Sequence, residues 1–254
     1  MKFKSVLAVV IGLAAACCFH QQAVAGQTNV AVAANFTEAA KEIATSFQSK
    51  TGHVAVLSFG ATGQLYAQIT QGAPFEVLLS ADQARPEKVV EEGLAAPESR
   101  FTYAIGKIVL WSRDPALVKG EETLKTAAFA KLAYCNPAGA PYGAAAVETL
   151  KALNLFEKLQ PKLVQGENIS QAFQFVDTGN AELGFVALSQ VNRNSIGSRW
   201  IVPQKLYTPI RQDAVLLKKG AGNEAAIAFM AFLKGPEARA IIEKYGYAVG
   251  GGNG

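Results

Sequence analysis

The sequence has few of the side chains on which most enzymes and metal sites depend. Its 254 residues include only two histidines and three cysteines. The motifs HExxH and Gly-x-Ser-x-Gly, which indicate zinc peptidases and serine hydrolases, do not occur. Ser80 and Asp82 follow an apolar run, but no histidine lies near them in sequence to complete a triad. We therefore expect a protein that is not an enzyme, and a secreted hydrolase using Ser80 or Asp82 is the alternative.

Charge is also scarce and nearly balanced. Charged residues make up 17% of the chain, and 24 basic against 20 acidic residues give a formal net charge of +4. Proteins that bind nucleic acid or anionic membranes have a much stronger basic excess. We therefore expect no nucleic-acid partner.

The first 25 residues have the layout of a secretory signal peptide. A short basic start precedes an apolar run over residues 6–18, and Ala-Val-Ala at 23–25 has the small-x-small pattern of a signal peptidase site. The run is shorter than the roughly 20 residues of a membrane-spanning helix. We predict a mature N-terminus at Gly26 and a soluble periplasmic protein. The alternative is a lipid anchor at Cys17, since residues 13–17 loosely resemble a lipidation site.

Removal of that segment leaves Cys135 as the one remaining cysteine. A single cysteine cannot form an internal disulfide, and free cysteines are among the most buried residue types. We expect Cys135 to lie buried within a strand.

Strand-like and helix-like patterns alternate along the chain. Short apolar runs typical of strands are followed by segments in which apolar residues recur at helical spacing. Nearly continuous apolar runs suit parallel strands covered by helices on both faces. The sequence therefore predicts an α/β fold with mostly parallel sheets flanked by helices. The runs are NVAVAA at 29–34, HVAVLSF at 53–59, FEVLL at 75–79, KLAYC at 131–135 and ELGFVAL at 182–188.

Two long strand-like segments indicate how this pattern divides into lobes. Residues 101–111 are too many for one strand of a small sheet, so we interpret them as a crossover between two lobes. Residues 206–217 are the expected return crossing, which would place the last two helices back on the first lobe. The predicted first lobe is 26–105 plus 211–254, and the predicted second lobe is 106–210.

Four strand-to-helix turns are rich in small, polar and glycine residues. Ligands of open α/β sheets bind at the carboxyl ends of strands, and a helix start offers unpaired N–H groups and partial positive charge. Two such turns in each half therefore predict an anion site between the lobes. The turns are AANFT at 33–37, FGATGQ at 59–64, NPAGAPYG at 136–143 and ENIS at 167–170.

Each turn also has an ordinary structural explanation. Asn35 and Thr62 are good N-cap residues, Tyr142 suits an aromatic packing position, and Ile169 suits the core. Apart from Glu167 at one edge, the turns contain no charged residue. A site made of donors alone suits a fully ionised dianion and disfavours a protonated phosphate, which needs an acceptor.

Six motifs, taken together and in their order along the chain, resemble those of the periplasmic molybdate-binding proteins that serve ABC transporters. The resemblance runs from about Asn29 to Gly246. It implies a two-lobed type 2 periplasmic-binding-protein fold that closes on molybdate or tungstate and delivers it to a membrane permease, as a monomer without a cofactor. The motifs are AANF (33–36), FGATGQL (59–65), GAPFEVLLSADQ (72–83), NPAGAPYG (136–143), ELGFVAL (182–188) and KGPEARAIIEKYGY (234–247).

The resemblance also implies a ligand set. Asn35 matches the first binding position, which is serine in many relatives and asparagine in a subgroup, and Thr62 matches a binding serine. Tyr142 and Ile169 match positions that donate backbone N–H groups, so the metal is held as its oxyanion and touches no side chain directly. Ala187 stands where many relatives have a tyrosine, and the subgroup pattern suggests that Tyr142 replaces the missing hydroxyl. The alternative ligands are sulfate, thiosulfate or another small anion.

Overall fold

The computed structural model describes residues 25–193 and 196–250. The predicted signal segment up to residue 24, and with it Cys17, lies outside the described residues. No helix within the described ranges has both the length and the apolar character needed to cross a membrane.

Ten strands and ten α-helices alternate through the described chain. The strands are β1 Gln27–Ala33, β2 Val54–Gly60, β3 Val77–Leu79, β4 Phe101–Gly106, β5 Ile108–Ser112, β6 Leu132–Cys135, β7 Leu163–Gly166, β8 Leu183–Ala187, β9 Ser198–Ile201 and β10 Ile210–Leu216. The helices are α1 Thr37–Thr51, α2 Thr62–Thr70, α3 Ala84–Glu91, α4 Glu122–Thr126, α5 Pro141–Ala152, α6 Phe156–Leu159, α7 Ile169–Asp177, α8 Leu188–Val191, α9 Glu224–Lys234 and α10 Pro236–Lys244. A short 3₁₀ turn, Ala34–Phe36, connects β1 to α1.

The strands form two five-stranded sheets with the same plan. The first sheet has the order β2-β1-β3-β10-β4, and β10 runs antiparallel to both of its neighbours. The second has the order β7-β6-β8-β5-β9, and there β5 is the antiparallel strand. The predicted α/β fold with two mostly parallel sheets is confirmed.

The chain crosses between the sheets at two places. Residues 101–111 are two strands, β4 in the first sheet and β5 in the second, joined at Lys107. On the return, Tyr207 packs in the core of the second lobe, and the chain then enters β10 of the first sheet. The two predicted crossings are therefore present.

The last two helices pack in the core that surrounds the first sheet. Phe229 of α9 and Ile242 of α10 pack with Phe47 of α1 and with Val30 and Val32 of β1. Since aromatic and β-branched side chains carry much of the free energy of burial, these contacts hold the last two helices against α1 and β1.

The lone thiol lies inside the second lobe. Cys135 ends β6, is fully buried and forms no disulfide. Burial raises the pKa of the thiol to about 12, because a thiolate would lose its hydration there. The expectation of a buried cysteine within a strand is confirmed.

The predicted third strand, residues 75–79, is too long. Strand β3 begins only at Val77, although the Glu76 N–H still donates to the Asn29 carbonyl of β1 at 2.8 Å. The Glu76 carboxylate accepts hydrogen bonds from the Asn29 N–H (3.0 Å) and from the Asn223 side-chain amide (2.8 Å). A side chain thus replaces a backbone carbonyl at the edge of the ladder.

Candidate anion-binding site

A small cavity lies between the lobes, where turns after the strands of the two sheets face each other. It contains about 200 Å³ of empty space, including its open mouth. None of the described residues lining the cavity is charged. They are Ala33, Ala34, Asn35, Gly60, Ala61, Thr62, Ala81, Ala140, Pro141, Tyr142, Asn168 and Ile169.

All four residues predicted for the site line this cavity. Asn35 lies in the 3₁₀ turn before α1, Thr62 is the first residue of α2, Tyr142 is the second of α5, and Ile169 is the first of α7. The first N–H groups of a helix have no acceptor within that helix. The structure therefore brings the starts of the 3₁₀ turn and of helices α2, α5 and α7 to one place.

Three of these four turns begin after an alanine. Ala33, Ala61 and Ala140 occupy the N-cap positions, and none of them can accept a hydrogen bond through its side chain. Alanine is among the poorest N-cap residues for this reason. No N-cap side chain therefore occupies the first amides of these turns, although the Gly63 N–H donates to the Gly139 carbonyl (2.9 Å) and the Gly143 N–H to the Ala140 carbonyl (2.9 Å).

The fourth turn is partly capped by its own side chain. Asn168 Oδ1 accepts hydrogen bonds from the N–H groups of Ser170 (3.0 Å) and Gln171 (3.1 Å). The Ile169 N–H is not among the amides that this cap takes. The Ile169 side chain is buried in the core, as its apolar character predicts.

Thr62 is not an N-cap, so that alternative is wrong. It is the first residue inside α2 and is buried against the cavity wall. Its Oγ1 accepts a hydrogen bond from the Ala81 N–H at 3.1 Å. Because a hydroxyl both accepts and donates, this bond positions Oγ1 and leaves its proton for a further acceptor.

Asn35 is not an N-cap either. Its carbonyl oxygen accepts hydrogen bonds from Tyr247 Oη (2.7 Å) and Ser189 Oγ (2.9 Å). Its Nδ2 donates to Gln212 Oε1 (2.8 Å) and Tyr247 Oη (3.0 Å), with Tyr142 Oη at 3.5 Å. The side chain thus belongs to a buried polar network behind the cavity.

Tyr142 reaches from α5 into the same network. Its hydroxyl accepts a hydrogen bond from Gln212 Nε2 at 3.2 Å. The ring fits because residue 106 is glycine; a Cβ there would collide with the Tyr142 hydroxyl and lie 2.7 Å from Gln212 Nε2. Gly106 and Gln212 belong to strands β4 and β10, which flank the two crossings.

Three tyrosine hydroxyls of this network stay protonated at neutral pH. Burial raises the pKa values of Tyr103, Tyr142 and Tyr247 above 10, because a phenolate would lose its hydration, and the neighbouring phenols raise those of Tyr103 and Tyr142 further. The network therefore brings no negative charge close to the cavity.

Ala187 does not line the cavity. It ends β8, is fully buried and donates its N–H to Gln190 Oε1 at 2.9 Å. Residue 187 therefore has no side-chain hydroxyl, unlike the tyrosine that many relatives have at this position. Tyr142 is the tyrosine that lines the cavity.

The sequence did not indicate the residues that support the site from distant segments. Ser170 Oγ donates to the Ala34 carbonyl (3.2 Å) and Gly63 N–H to the Gly139 carbonyl (2.9 Å), and both bonds join the lobes. Gln212 lies 177 residues from Asn35 and Tyr247 lies 212. The one available signal was the polar stretch Arg211–Asp213, which contains Gln212, in a strand whose other residues are apolar.

The rival hydrolase site is not assembled. Ser80 is fully buried and donates to Asp82 Oδ1 at 3.0 Å, while Asp82 forms an ion pair with Arg85 at 2.6 Å. His53 instead accepts a hydrogen bond from the Gly26 N–H at 2.9 Å. His53 thus does not pair with Ser80, whose hydroxyl is buried and held by Asp82.

Comparisons with known proteins agree with this geometry. The family model of bacterial extracellular solute-binding proteins matches residues 28–248. The molybdate-binding protein ModA of Rhodobacter capsulatus is 57% identical over 241 residues, 95% of this chain and 93% of that protein. ModA of Azotobacter vinelandii is 53% identical over 247 residues, 96% of this chain and 97% of that protein.

A solved structure shows the same fold. The periplasmic molybdate-binding protein of Azotobacter vinelandii superimposes with a TM-score of 0.85 and 42% identity, covering 88% of this chain and all of that one. The shared fold and the extent of the sequence identity lead to one assignment. The chain belongs to the bacterial extracellular solute-binding proteins, in the family of the molybdate-binding proteins.

Proposed function

We propose that this protein captures molybdate or tungstate between its lobes and delivers it to an ABC transporter. The observation that carries the proposal is the convergence of four helix starts on one small cavity without a charged lining residue. The relatives with 57% and 53% identity are named for binding molybdate, which supports this choice among anions.

We assign the anion contacts to Asn35, Thr62, Tyr142 and Ile169. Each offers a backbone N–H at a helix start, and Thr62 and Tyr142 add hydroxyls. A hydrogen bond to a charged acceptor contributes about 1.5–3 kcal/mol. Several such bonds together exceed the roughly 8 kcal/mol of a micromolar site, before the free energies of closure and desolvation are subtracted.

The donor chemistry defines the class of anion. Molybdate, tungstate and sulfate are fully ionised at neutral pH and only accept hydrogen bonds. Hydrogen phosphate carries a proton and needs an acceptor, and no carboxylate lines the cavity. Cavity size is then the property that separates molybdate and tungstate from the smaller sulfate, since all three present the same acceptors.

The transport role follows from the same family relationship. We propose export to the periplasm through a cleaved signal peptide, with Gly26 as the mature N-terminus, and action as a monomer that meets a membrane permease. In this role the protein needs no catalytic group, cofactor or nucleic acid. Intact-mass analysis of the exported protein tests the cleavage site and would reveal a lipid on Cys17 if the alternative is right.

Calorimetric titration tests the proposed ligand. We expect the mature protein to bind molybdate and tungstate with micromolar or lower Kd, because at least about six donors of 1.5–3 kcal/mol face one anion. Sulfate should bind at least about 100-fold more weakly, and phosphate should give no measurable heat. Comparable affinities for sulfate and molybdate would contradict the proposal and favour a general sulfate or thiosulfate receptor.

A further inference from the structure

Beside the anion cavity, one charged side chain of the first lobe reaches across to the second lobe. Arg85 of α3 donates from Nη2 to the Ala138 carbonyl at 3.0 Å. Ala138 lies in the turn between β6 and α5, and α5 begins at the cavity wall. Arg85 does not line the anion cavity but lines an adjoining groove, which shares Ala81 and Pro141 with it. This interlobe bond therefore joins the lobes next to the site without using a group of the site.

The Arg85 guanidinium is held from behind by a carboxylate of its own lobe. Asp82 Oδ2 accepts from Arg85 Nη1 at 2.6 Å, and Asp82 Oδ1 accepts from the Arg85 backbone N–H at 3.0 Å. Ser80 Oγ donates to the same Oδ1 at 3.0 Å, so both carboxylate oxygens have partners. A guanidinium that is already bonded through one nitrogen loses less freedom when its other nitrogen finds an acceptor. Asp82 therefore orients Arg85 toward the second lobe.

This ion pair is better shielded from water than those on the outer helices. The side-chain exposure is 28% for Arg85 and 16% for Asp82, whereas the partners of the pairs within α1 and α10 are each more than half exposed. Exposed pairs contribute little because water and salt screen them, and partly buried pairs are screened less. Arg85 is thus more firmly placed than a surface arginine.

The turn that receives Arg85 accepts a second bond from the first lobe. The Gly63 N–H of α2 donates to the Gly139 carbonyl at 2.9 Å, one residue after Ala138. The two backbones lie so close that a Cβ on Gly63 would be 3.1 Å from Gly139 Cα. The turn is also braced internally, since Asn136 Oδ1 accepts from the Ala138 N–H at 3.0 Å. Two successive carbonyls of one braced turn therefore accept from the opposite lobe.

We propose that Arg85 is a positioning residue that holds the lobes together over the bound anion and slows its release, with Asp82 as its anchor. The bond to Ala138 must break before the lobes separate, so it stabilises the state in which they meet over the cavity. An anion that enters the open cleft does not need this bond. The effect should therefore fall on dissociation and not on association. The inference rests on the proposed function, because it concerns closure over the same anion site.

Arg85→Ala removes the interlobe bond and leaves every residue assigned to the anion in place. Calorimetry gives the Kd for molybdate, and chase of radioactive molybdate by excess unlabelled molybdate gives the release rate. We expect both to rise about 3- to 10-fold, as for loss of one hydrogen bond, with an association rate within about twofold of wild type.

The matched control is an arginine that makes the same kinds of contact within one lobe. Arg113 Nη1 donates to the Asp177 carbonyl at 2.6 Å and forms an ion pair with the Asp177 carboxylate at 3.5 Å, and both residues belong to the second lobe. Arg113→Ala should leave the Kd and the release rate unchanged.

Arg85→Lys separates positioning from a general attraction of the positive charge for the anion. Lysine keeps the charge but has a single nitrogen, so it cannot bond Asp82 and Ala138 from separate ends of a fork. We expect its release rate to be close to that of Arg85→Ala. A charge that only attracts the anion would instead act on the association rate, in a salt-dependent way, and Arg85→Lys would restore it.

A double-mutant cycle tests the anchor. Asp82→Asn keeps the shape of the side chain but loses the carboxylate that accepts from Arg85 Nη1. It should raise the release rate about 2- to 5-fold in the wild-type background and have no effect in the Arg85→Ala background, because there is no guanidinium to orient. Additive effects would overturn the anchoring role of Asp82.

The outcomes distinguish this inference from the proposed function. Absence of molybdate binding by the wild-type protein would overturn the proposed function. Normal wild-type binding, with an Arg85→Ala release rate within about twofold of wild type, would overturn the role of Arg85 alone. So would a loss of association rate that Arg85→Lys restores, which would leave Arg85 as a steering charge only.

Discussion

The two lobes share one plan but brace their parts of the cavity differently. In each sheet the fourth strand in the order is antiparallel, and it is the strand that follows a crossing, β10 in the first sheet and β5 in the second. In each lobe the turns after two parallel strands lead to helix starts at the cavity. The shared topology thus explains why the site is symmetric in its backbone amides.

The side chains break this symmetry. Thr62 is braced within its own lobe by the Ala81 N–H. Tyr142 belongs to the second lobe but is braced by Gln212 of the first. If both hydroxyls serve the proposed site, Thr62 is positioned by its own lobe, whereas the position of Tyr142 depends on a contact between the lobes. Two helix starts of similar geometry can therefore respond differently to a motion of one lobe relative to the other.

The N-cap residues show a second difference. Ala33, Ala61 and Ala140 precede cavity turns without capping them, whereas Asn168 caps α7 and Asn223 caps α9, away from the cavity, through the Ala225 N–H (3.0 Å). An alanine at this position costs about 1 kcal/mol relative to a good cap. The protein forgoes this stability where a ligand would use the amides.

Filling the space at Gly106 should have the largest effect on the Tyr142 side of the site. The added Cβ of Gly106→Ala would meet the Tyr142 hydroxyl and Gln212 Nε2, so both groups must move. Loss of the phenol donor (about 1.5–3 kcal/mol) predicts about a 10- to 100-fold loss of molybdate affinity. Overpacking should in addition lower the free energy of unfolding by about 1–3 kcal/mol. Calorimetric titration measures the loss of affinity.

Gly222→Ala is the control for this substitution. Gly222 lies before α9 and does not line the cavity, and a Cβ there would have no heavy atom within 4 Å. Its affinity should match wild type. If Gly106→Ala also binds within about threefold of wild type, Tyr142 is not braced as the geometry indicates.

On the first-lobe side, Thr62 should give the next largest effect. Thr62→Val keeps the shape and the backbone N–H but removes the hydroxyl, which should lower affinity by about 1.5–3 kcal/mol. The variant also leaves the buried Ala81 N–H without its acceptor, so the free energy of unfolding should fall by about 1–3 kcal/mol.

Thr62→Ser separates these effects, because it retains the hydroxyl and should keep affinity near wild type. Calorimetry and thermal unfolding of the three proteins provide the comparison. A Thr62→Val variant that loses stability but binds molybdate like wild type would remove the Thr62 hydroxyl from the site.

The α/β fold was predictable because buried parallel strands leave a strong apolar signal in sequence. Runs such as NVAVAA and ELGFVAL became β1 and β8 with small shifts at their ends. The direction of β5 and β10 was not predictable, because it depends on which sheet the chain enters after a crossing. Neither was the contact of the Glu76 carboxylate with Asn223 beside the start of β3, because the two residues lie 147 positions apart.

The cavity was predictable only in part. Its four turns have local signatures, so Asn35, Thr62, Tyr142 and Ile169 were placed at helix starts from sequence and do line one cavity. The N-cap alternatives were wrong for Asn35 and Thr62, because side-chain partners decide that role and lie elsewhere in the chain. Tyr247 and Gln212 were not identified, since no local pattern connects residues more than 170 positions from Asn35.

Removing the one side-chain cap at the cavity should have the smallest effect on binding. Asn168→Ala would make the α7 start resemble the three alanine-capped turns and release the Ser170 and Gln171 amides. The free energy of unfolding should fall by about 1 kcal/mol. Affinity should change by less than about threefold, because the Ile169 N–H assigned to the anion does not depend on the cap and the released amides lie deeper in the first turn. Chemical unfolding and calorimetry of the same preparation measure both quantities, with Asn223→Ala on α9 as the control for a cap remote from the cavity. An affinity loss of tenfold or more for Asn168→Ala alone would mean that Asn168 itself contacts the anion, and that the second lobe supplies a side-chain donor at both of its helix starts.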